Sequence, residues 1–243
     1  MTTETLVFDD KQQLTDTAAR RFVDAVVAAQ RERGSASVVL TGGSNGIALL
    51  AALARDSGDI DWSAVDIYWG DDRFVPADDA ERNYGQARDA LLAHVPVDEK
   101  RVHPMAPSDG EYGDDIDAAA VGYAEAIMTA DGASPAFDIH LLGMGPEGHI
   151  NSLFPHATAT TEPVGPVVPV TDSPKPPPRR ITLTLPAVNR SRAVWFLVSG
   201  ADKAEAVAQA HAGADPADWP AAGAHGTAET VWFLDREAAS RLS

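Results

Sequence analysis

The sequence predicts a single α/β domain over residues 1–243, built on a mainly parallel, doubly wound sheet with helices on both faces. Two observations lead there. Short apolar runs suited to buried strands end in glycine-containing turns or loops, and an apolar stretch at helical spacing follows several of them, an order that recurs along the chain. The 243 residues lie within the range of one large α/β unit, and 44% hydrophobic with 23% charged residues is an ordinary globular balance.

Leu14, Ala18, Phe22, Val26 and Ala29 recur at helical spacing, so a helix is expected from residue 14 to about 33, stopped by Gly34. Residues 38–40 form a short apolar strand, 41–45 a glycine turn and 47–53 a second helix. A strand at 65–69 precedes a loop and a helix near 84–92, and a strand at 137–142 runs into Gly143-Met144-Gly145. Further strands are expected at 181–185 and 194–198, the second followed by a helix over 202–211. A strand at 230–234 then leads to a short C-terminal helix. The proline-rich stretch 163–178 reads as an ordered loop rather than a linker, because a strand follows it at once. Strands alternating with helices imply βαβ crossovers, a Rossmann-like arrangement in which ligands bind beyond the carboxyl ends of the strands.

A formal net charge of −17 argues against nucleic acid or an anionic membrane as partner, since both recruit cationic patches. The absence of cysteine removes disulfides, thiolate catalysis, iron–sulfur clusters and cysteine-ligated zinc. The first ten residues lack the basic and apolar regions of a signal peptide, and the longest apolar run, 47–54, is too short to span a bilayer. The expectation is a cytoplasmic protein, monomeric or weakly self-associating.

The turn Thr41-Gly42-Gly43-Ser44-Asn45 presents free backbone N–H groups at a helix N-terminus, a setting that favours phosphate or carboxylate. Its plainer reading is a tight turn with Ser44 or Asn45 as N-cap. With Gly46 it also spells G-x-S-x-G, the nucleophile elbow, but no HGG-type segment supplies a second oxyanion donor. Gly143-Met144-Gly145-Pro146-Glu147-Gly148 matches a dinucleotide turn, yet Pro155 follows too soon for the long crossover helix such a site needs. His149, just past this turn at a strand end, is a candidate general base, and the other six histidines have poorer settings. Asp71, Asp72 and Arg73 emerge at another strand end, where Arg73 either grips phosphate through two parallel donors or pairs with its acidic neighbours. Lys203 opens the helix after Val198-Ser199-Gly200 and reads either as an anion ligand or as a solvated lysine. No H-E-x-x-H or aspartate-rich calcium loop occurs, so neither metal nor organic cofactor is expected.

Taken together, four blocks resemble the 6-phosphogluconolactonase family, within the wider group of sugar-phosphate isomerases and glucosamine-6-phosphate deaminases. They are Thr41 to Ser44, Trp69 to Pro76 with Arg82-Asn83, Phe137 to His149 continuing through Ser152-Leu153-Phe154-Pro155, and Pro174 to Pro178 with Arg180 to Pro186. Gly200-Ala201-Asp202-Lys203 and Trp232 to Asp235 fit as well. The resemblance implies hydrolysis of 6-phospho-D-glucono-1,5-lactone, a step of the oxidative pentose phosphate pathway. It assigns His149 as the base that activates water, Arg73 and Lys203 as phosphate contacts, and the Gly42-Gly43-Ser44 turn as a further hold on the sugar phosphate. Arg180 adds positive charge, and Asp71, Asn83, Gly145 and Glu147 are expected to line the site. The departures are Asn45-Gly46 for the family's usual Thr-Pro, Asp72 for Glu, Glu147 for Asp and His156 for Gly. Two alternatives stand beside this reading: an amino-sugar phosphate isomerase or deaminase with Asp71 as proton carrier, and a sugar-phosphate sensor without chemistry.

Overall fold

The computed structural model describes residues 2–128, 136–161 and 163–242. In chain order its elements are β1 (Thr2–Phe8), α1 (Lys11–Arg33), β2 (Ala36–Leu40), α2 (Gly43–Arg55), β3 (Val65–Trp69), β4 (Asp71–Arg73), α3 (Asn83–Ala90) and α4 (Ile116–Ile127). There follow β5 (Ile139–Leu142), α5 (Thr158–Thr161), β6 (Val167–Val170), β7 (Arg180–Leu183), α6 (Leu185–Val188), β8 (Ala193–Val198), α7 (Ala204–His211) and β9 (Glu229–Asp235). Among the described residues no helix is long and apolar enough to cross a membrane.

Six strands form a wholly parallel sheet in the order β1-β9-β8-β5-β2-β3. The period-two alternation of its strands builds a core on each face. In β8, Ala193, Trp195 and Leu197 pack with residues of α1, α2 and α3, whereas Val194, Phe196 and Val198 pack with α4, α7 and the second sheet. All six residues of β8 are buried, the reason that strand reads as an unbroken apolar run. Each large side chain withdrawn from water in this way contributes roughly 1.5–3 kcal/mol.

The α/β class and the helices on both faces are as the sequence predicts, with several local differences. The first helix starts earlier than its apolar stripe, because the Asp10 carboxylate accepts from the Gln13 N–H at 2.8 Å and caps it. Gly34, at φ +81°, ends it as expected. β1 is an additional strand with little apolar pattern, since it is an exposed edge strand whose partner β9 lies at the other end of the chain. The alanine-rich α4, capped by Asp115, is a further helix beyond those expected. The expected C-terminal helix is absent, residues 236–241 being turns.

The largest difference is a second sheet, β4-β7-β6, which is antiparallel. The strand expected at 181–185 belongs here and ends early, since Leu185 already starts α6 with Pro186 in its first turn. Gly70 joins the two sheets: its N–H donates to the Leu40 carbonyl of β2, and its own carbonyl accepts from the Leu183 N–H of β7. From β2 the chain crosses to its neighbour β3, whereas from the adjacent β5 it goes on to β8 on the opposite side. A crevice opens beyond the carboxyl ends of β2 and β5, where ligands of doubly wound sheets bind.

Gly46 sits in the first turn of α2, and a Cβ there would stand 2.4 Å from the Thr41 carbonyl oxygen. Close backbone packing accounts for this glycine without a nucleophile elbow. Gly46→Ala is expected to destabilise the fold by about 1–3 kcal/mol, seen as a lower denaturation midpoint at constant m-value, and an unchanged midpoint would refute the packing argument.

Candidate active site

A cavity of about 150 Å³ lies at those strand ends, lined by Thr41, Gly42, Gly43, Asp71, Arg73, Asn83, Gly143, Met144, His149, Asn151 and Arg180. Seven of the residues expected from sequence are therefore gathered: Gly42, Gly43, Asp71, Arg73, Asn83, His149 and Arg180. Ser44, Gly145, Glu147 and Lys203 stand outside the lining. A larger cavity, about 320 Å³, opens beside α1 at the amino ends of the strands and holds none of them.

Gly42, not Ser44 or Asn45, is the N-cap of α2, and it makes no side-chain cap bond. Glycine is required because a Cβ on Gly42 would lie 2.1 Å from Asn83 Oδ1. Gly43 has φ +78°, which favours glycine for conformational reasons. Asn45 fastens the turn to the end of β8, its Nδ2 donating to the Leu197 carbonyl at 3.0 Å and its Oδ1 accepting from Ser199 Oγ at 2.9 Å. Ser44 is exposed on the first turn.

The wall opposite is built around Asp72. Its carboxylate accepts from the backbone N–H of Asn83 (2.6 Å), Tyr84 (3.2 Å) and Arg73 (2.8 Å), so a side chain from β4 caps α3. Arg82 completes the shell at 3.3 Å, both side chains being only 2% exposed. Burial pushes the Asp72 carboxyl up to about 6, while Arg82 and the backbone donors oppose that shift and leave it ionised at neutral pH. The ordered Asn83 then accepts from Arg73 Nη1 and donates to Asp71, at 2.8 Å to its carbonyl and 3.2 Å to Oδ1. Asp71 Oδ2 accepts from Ser152 Oγ at 2.7 Å.

Arg73 and Arg180 face each other directly across β4 and β7. Like charges so placed repel, and an anion between them relieves the repulsion. Arg73 Nε is buried without a hydrogen-bond partner among the described residues. Arg180 is more committed: its Nε donates to the Pro177 carbonyl at 3.0 Å and its Nη2 to the Lys175 carbonyl at 2.9 Å, fixing the proline-rich turn. Burial lowers the Arg180 pKa, Asp71 opposes this and Arg73 adds to it.

His149 follows a tight turn in which Gly148 has φ +77° and the Gly145 N–H donates to the His149 carbonyl at 3.0 Å. Gly145 serves the ring from behind, since a Cβ there would stand 2.0 Å from His149 Nδ1. That nitrogen lies 3.0 Å from Glu147 Oε1, and the ring stacks on Phe154 at 4.5 Å. Lys175 Nζ reaches the same Glu147 oxygen at 2.7 Å and lies 3.4 Å from His149 Nδ1. Burial raises the Glu147 pKa, but the bonds to His149 and Lys175 overcome it and hold the carboxyl well below its ordinary range. An ionised Glu147 favours the Nδ1–H tautomer and leaves Nε2 as the basic nitrogen. Lys175 lies in the Pro174 to Pro178 block that carries the resemblance, but nothing in the sequence assigns it a role.

Lys203 precedes α7 at the end of β8, where its Nζ pairs with Asp202 at 2.9 Å. Among the described residues no three His, Asp or Glu side chains cluster as a metal site.

The family model described as glucosamine-6-phosphate isomerases/6-phosphogluconolactonase matches residues 9–232. The chain belongs to that family. A 6-phosphogluconolactonase of Mycobacterium tuberculosis is 58% identical over 240 residues, covering 97% of each chain. One from Streptomyces coelicolor is 53% identical, covering 99% of this chain and 95% of the relative. The crystal structure of 6-phosphogluconolactonase from Thermotoga maritima superposes with a TM-score of 0.84 at 26% identity, covering 96% of this chain and 99% of that one. His156 adopts φ +61°, a region that favours glycine, and its N–H donates to the Ala217 carbonyl at 2.8 Å.

Because Asp72 neutralises a buried guanidinium and caps α3, Asp72→Asn is expected to destabilise the protein by about 3 kcal/mol or more. Thermal unfolding measures this directly, and a change within experimental scatter would show that the Arg82 pair does not hold the wall in place.

Proposed function

We propose that this chain hydrolyses 6-phospho-D-glucono-1,5-lactone to 6-phosphogluconate through water activated by His149, with no covalent enzyme intermediate. The observation that carries the reading is the meeting, at one cavity, of a Glu147-oriented imidazole and two facing guanidinium groups. The names of the family relatives support the same substrate.

In this mechanism Arg73, with Asn83 steering its guanidinium, takes the substrate phosphate, and Arg180 supplies positive potential behind it. The first-turn N–H groups beyond Gly42 add the anion-favouring end of α2. Lys203 joins by exchanging its exposed Asp202 partner for phosphate, since the Asn45 contacts hold its loop near the α2 turn. His149 Nε2 removes a proton as water oxygen bonds to the lactone carbonyl carbon. The tetrahedral intermediate then expels the ring oxygen, which takes the proton back from the imidazolium. Glu147 stabilises that transient cation through Nδ1–H, and Lys175 keeps Glu147 ionised.

Asp71, the proton carrier of an isomerase or deaminase, has one oxygen on Ser152 and the other on Asn83, an arrangement suited to holding residues in place. A sensor without chemistry has no use for an oriented histidine.

His149→Asn is expected to lower kcat by about 10²–10⁴, whereas Ser44→Ala changes kcat/KM by no more than one hydrogen bond's worth, about 0.5–1.5 kcal/mol. Acid release from fresh 6-phosphogluconolactone, corrected for spontaneous opening, reads both; the reverse ranking would restore a serine nucleophile.

Arg73→Ala is expected to reduce kcat/KM far more for the phosphorylated lactone than for plain gluconolactone. Equal losses on the two substrates would remove Arg73 from phosphate recognition.

A further inference from the structure

Asn151 lies two residues past His149 and lines the cavity with Asp71, Arg73 and Arg180, yet neither its type nor its place marked it in the sequence. The residue is only 7% exposed, and neither Oδ1 nor Nδ2 meets a partner in hydrogen-bond geometry among the described residues. Buried amides left in that condition are few in native proteins and call for a cause. The backbone is also held at φ +48°, a left-handed conformation that asparagine tolerates better than most residues.

Two neighbours pin the amide. Its Oδ1 packs on the backbone of Gly70, where a Cβ would approach it to 2.3 Å. From β5 the fully buried His140 also comes close, with Nδ1 3.5 Å from Ser191 Oγ and Nε2 without a partner in hydrogen-bond geometry. Burial lowers the His140 pKa to about 3, and a side-chain hydrogen bond with Asn151, outside strict geometry, opposes this only in part, so the imidazole stays neutral. The amide is thus wedged between the end of β3 and a neutral ring, beside the cavity.

We propose that Asn151 is a recognition residue whose carboxamide hydrogen-bonds a ring hydroxyl of the sugar lactone, an inference that rests on the lactonase reading above. A carboxamide offers donor and acceptor together, and a hydroxyl uses both. Phosphate uses only donors, which the two arginines already present. A site built to bond a hydroxyl discriminates strongly against an analogue without it, because the polar group is otherwise left unpaired.

The test compares wild type, Asn151→Gly and Asn151→Asp. Glycine removes the amide and accepts φ +48°, whereas aspartate keeps the shape and loses the donor. Substrates are 6-phosphogluconolactone, plain gluconolactone and the 2-, 3- and 4-deoxy forms of the phosphorylated lactone. Asn151→Gly is expected to lower kcat/KM about tenfold on both phosphorylated and plain lactone. One deoxy analogue is expected to be turned over equally by wild type and variant, since it lacks the hydroxyl concerned. Should Asn151→Gly fail to fold, Asn151→Asp carries the same comparison. No loss, or an equal loss on every deoxy analogue, overturns the assignment and leaves a structural role. A wild-type enzyme inert on 6-phosphogluconolactone overturns the lactonase reading instead, and this inference with it.

Discussion

The site depends on one buried carboxylate. Asp72 gathers three backbone N–H groups and the Arg82 guanidinium where water does not reach, and in doing so fixes the entry of α3 against β4. Asn83, Arg73 and the backbone of Gly42 are all positioned through that junction, each by direct contact with the next. In a low-dielectric setting such a network stands or falls together, since any orphaned member bears its full desolvation penalty.

A second constraint is electrostatic. The chain carries a net charge of −17, a poor background for an anionic substrate. Salt screens exposed charges beyond roughly 8 Å, so local groups decide what the cavity attracts. Arg73 and Arg180 face one another across two short strands, and the α2 N-terminus adds its dipole from the other wall. The antiparallel β4-β7-β6 sheet is what makes this possible, because it brings residues 73 and 180 into register.

Much of this was legible beforehand. The β2 and β8 cores, the α1 stripe and the strand-end glycines follow from apolar periodicity and local turn chemistry. His149, Arg73, Asp71 and Asn83 were each visible as polar residues beside a strand end or in a family motif, and the fold does gather them at one cavity. Asn151 was not visible in this way, and Lys175 was visible only as part of the Pro174 to Pro178 block, without a role. Lys175 belongs to a loop more than twenty residues beyond the histidine it touches, and the signature of Asn151 is an unpaired amide, a property only packing defines. β1 was missed for a related reason: an exposed edge strand has little hydrophobic pattern, and its pairing partner is the last strand of the chain.

What the amino-acid order determines by itself is short-range: which segments alternate as strand and helix, where Gly34 ends a helix, and which turns offer bare N–H groups to an anion. Such preferences arise from dihedral sterics, capping bonds and side-chain periodicity within a few residues. Tertiary structure alone decided that Arg73 faces Arg180, that Lys175 reaches the Glu147 beside the histidine, and that Lys203 stands outside the cavity lining. These outcomes turn on close approach between residues remote in the chain, and charge, burial and hydrogen bonding at that range exist only once the two sheets have packed.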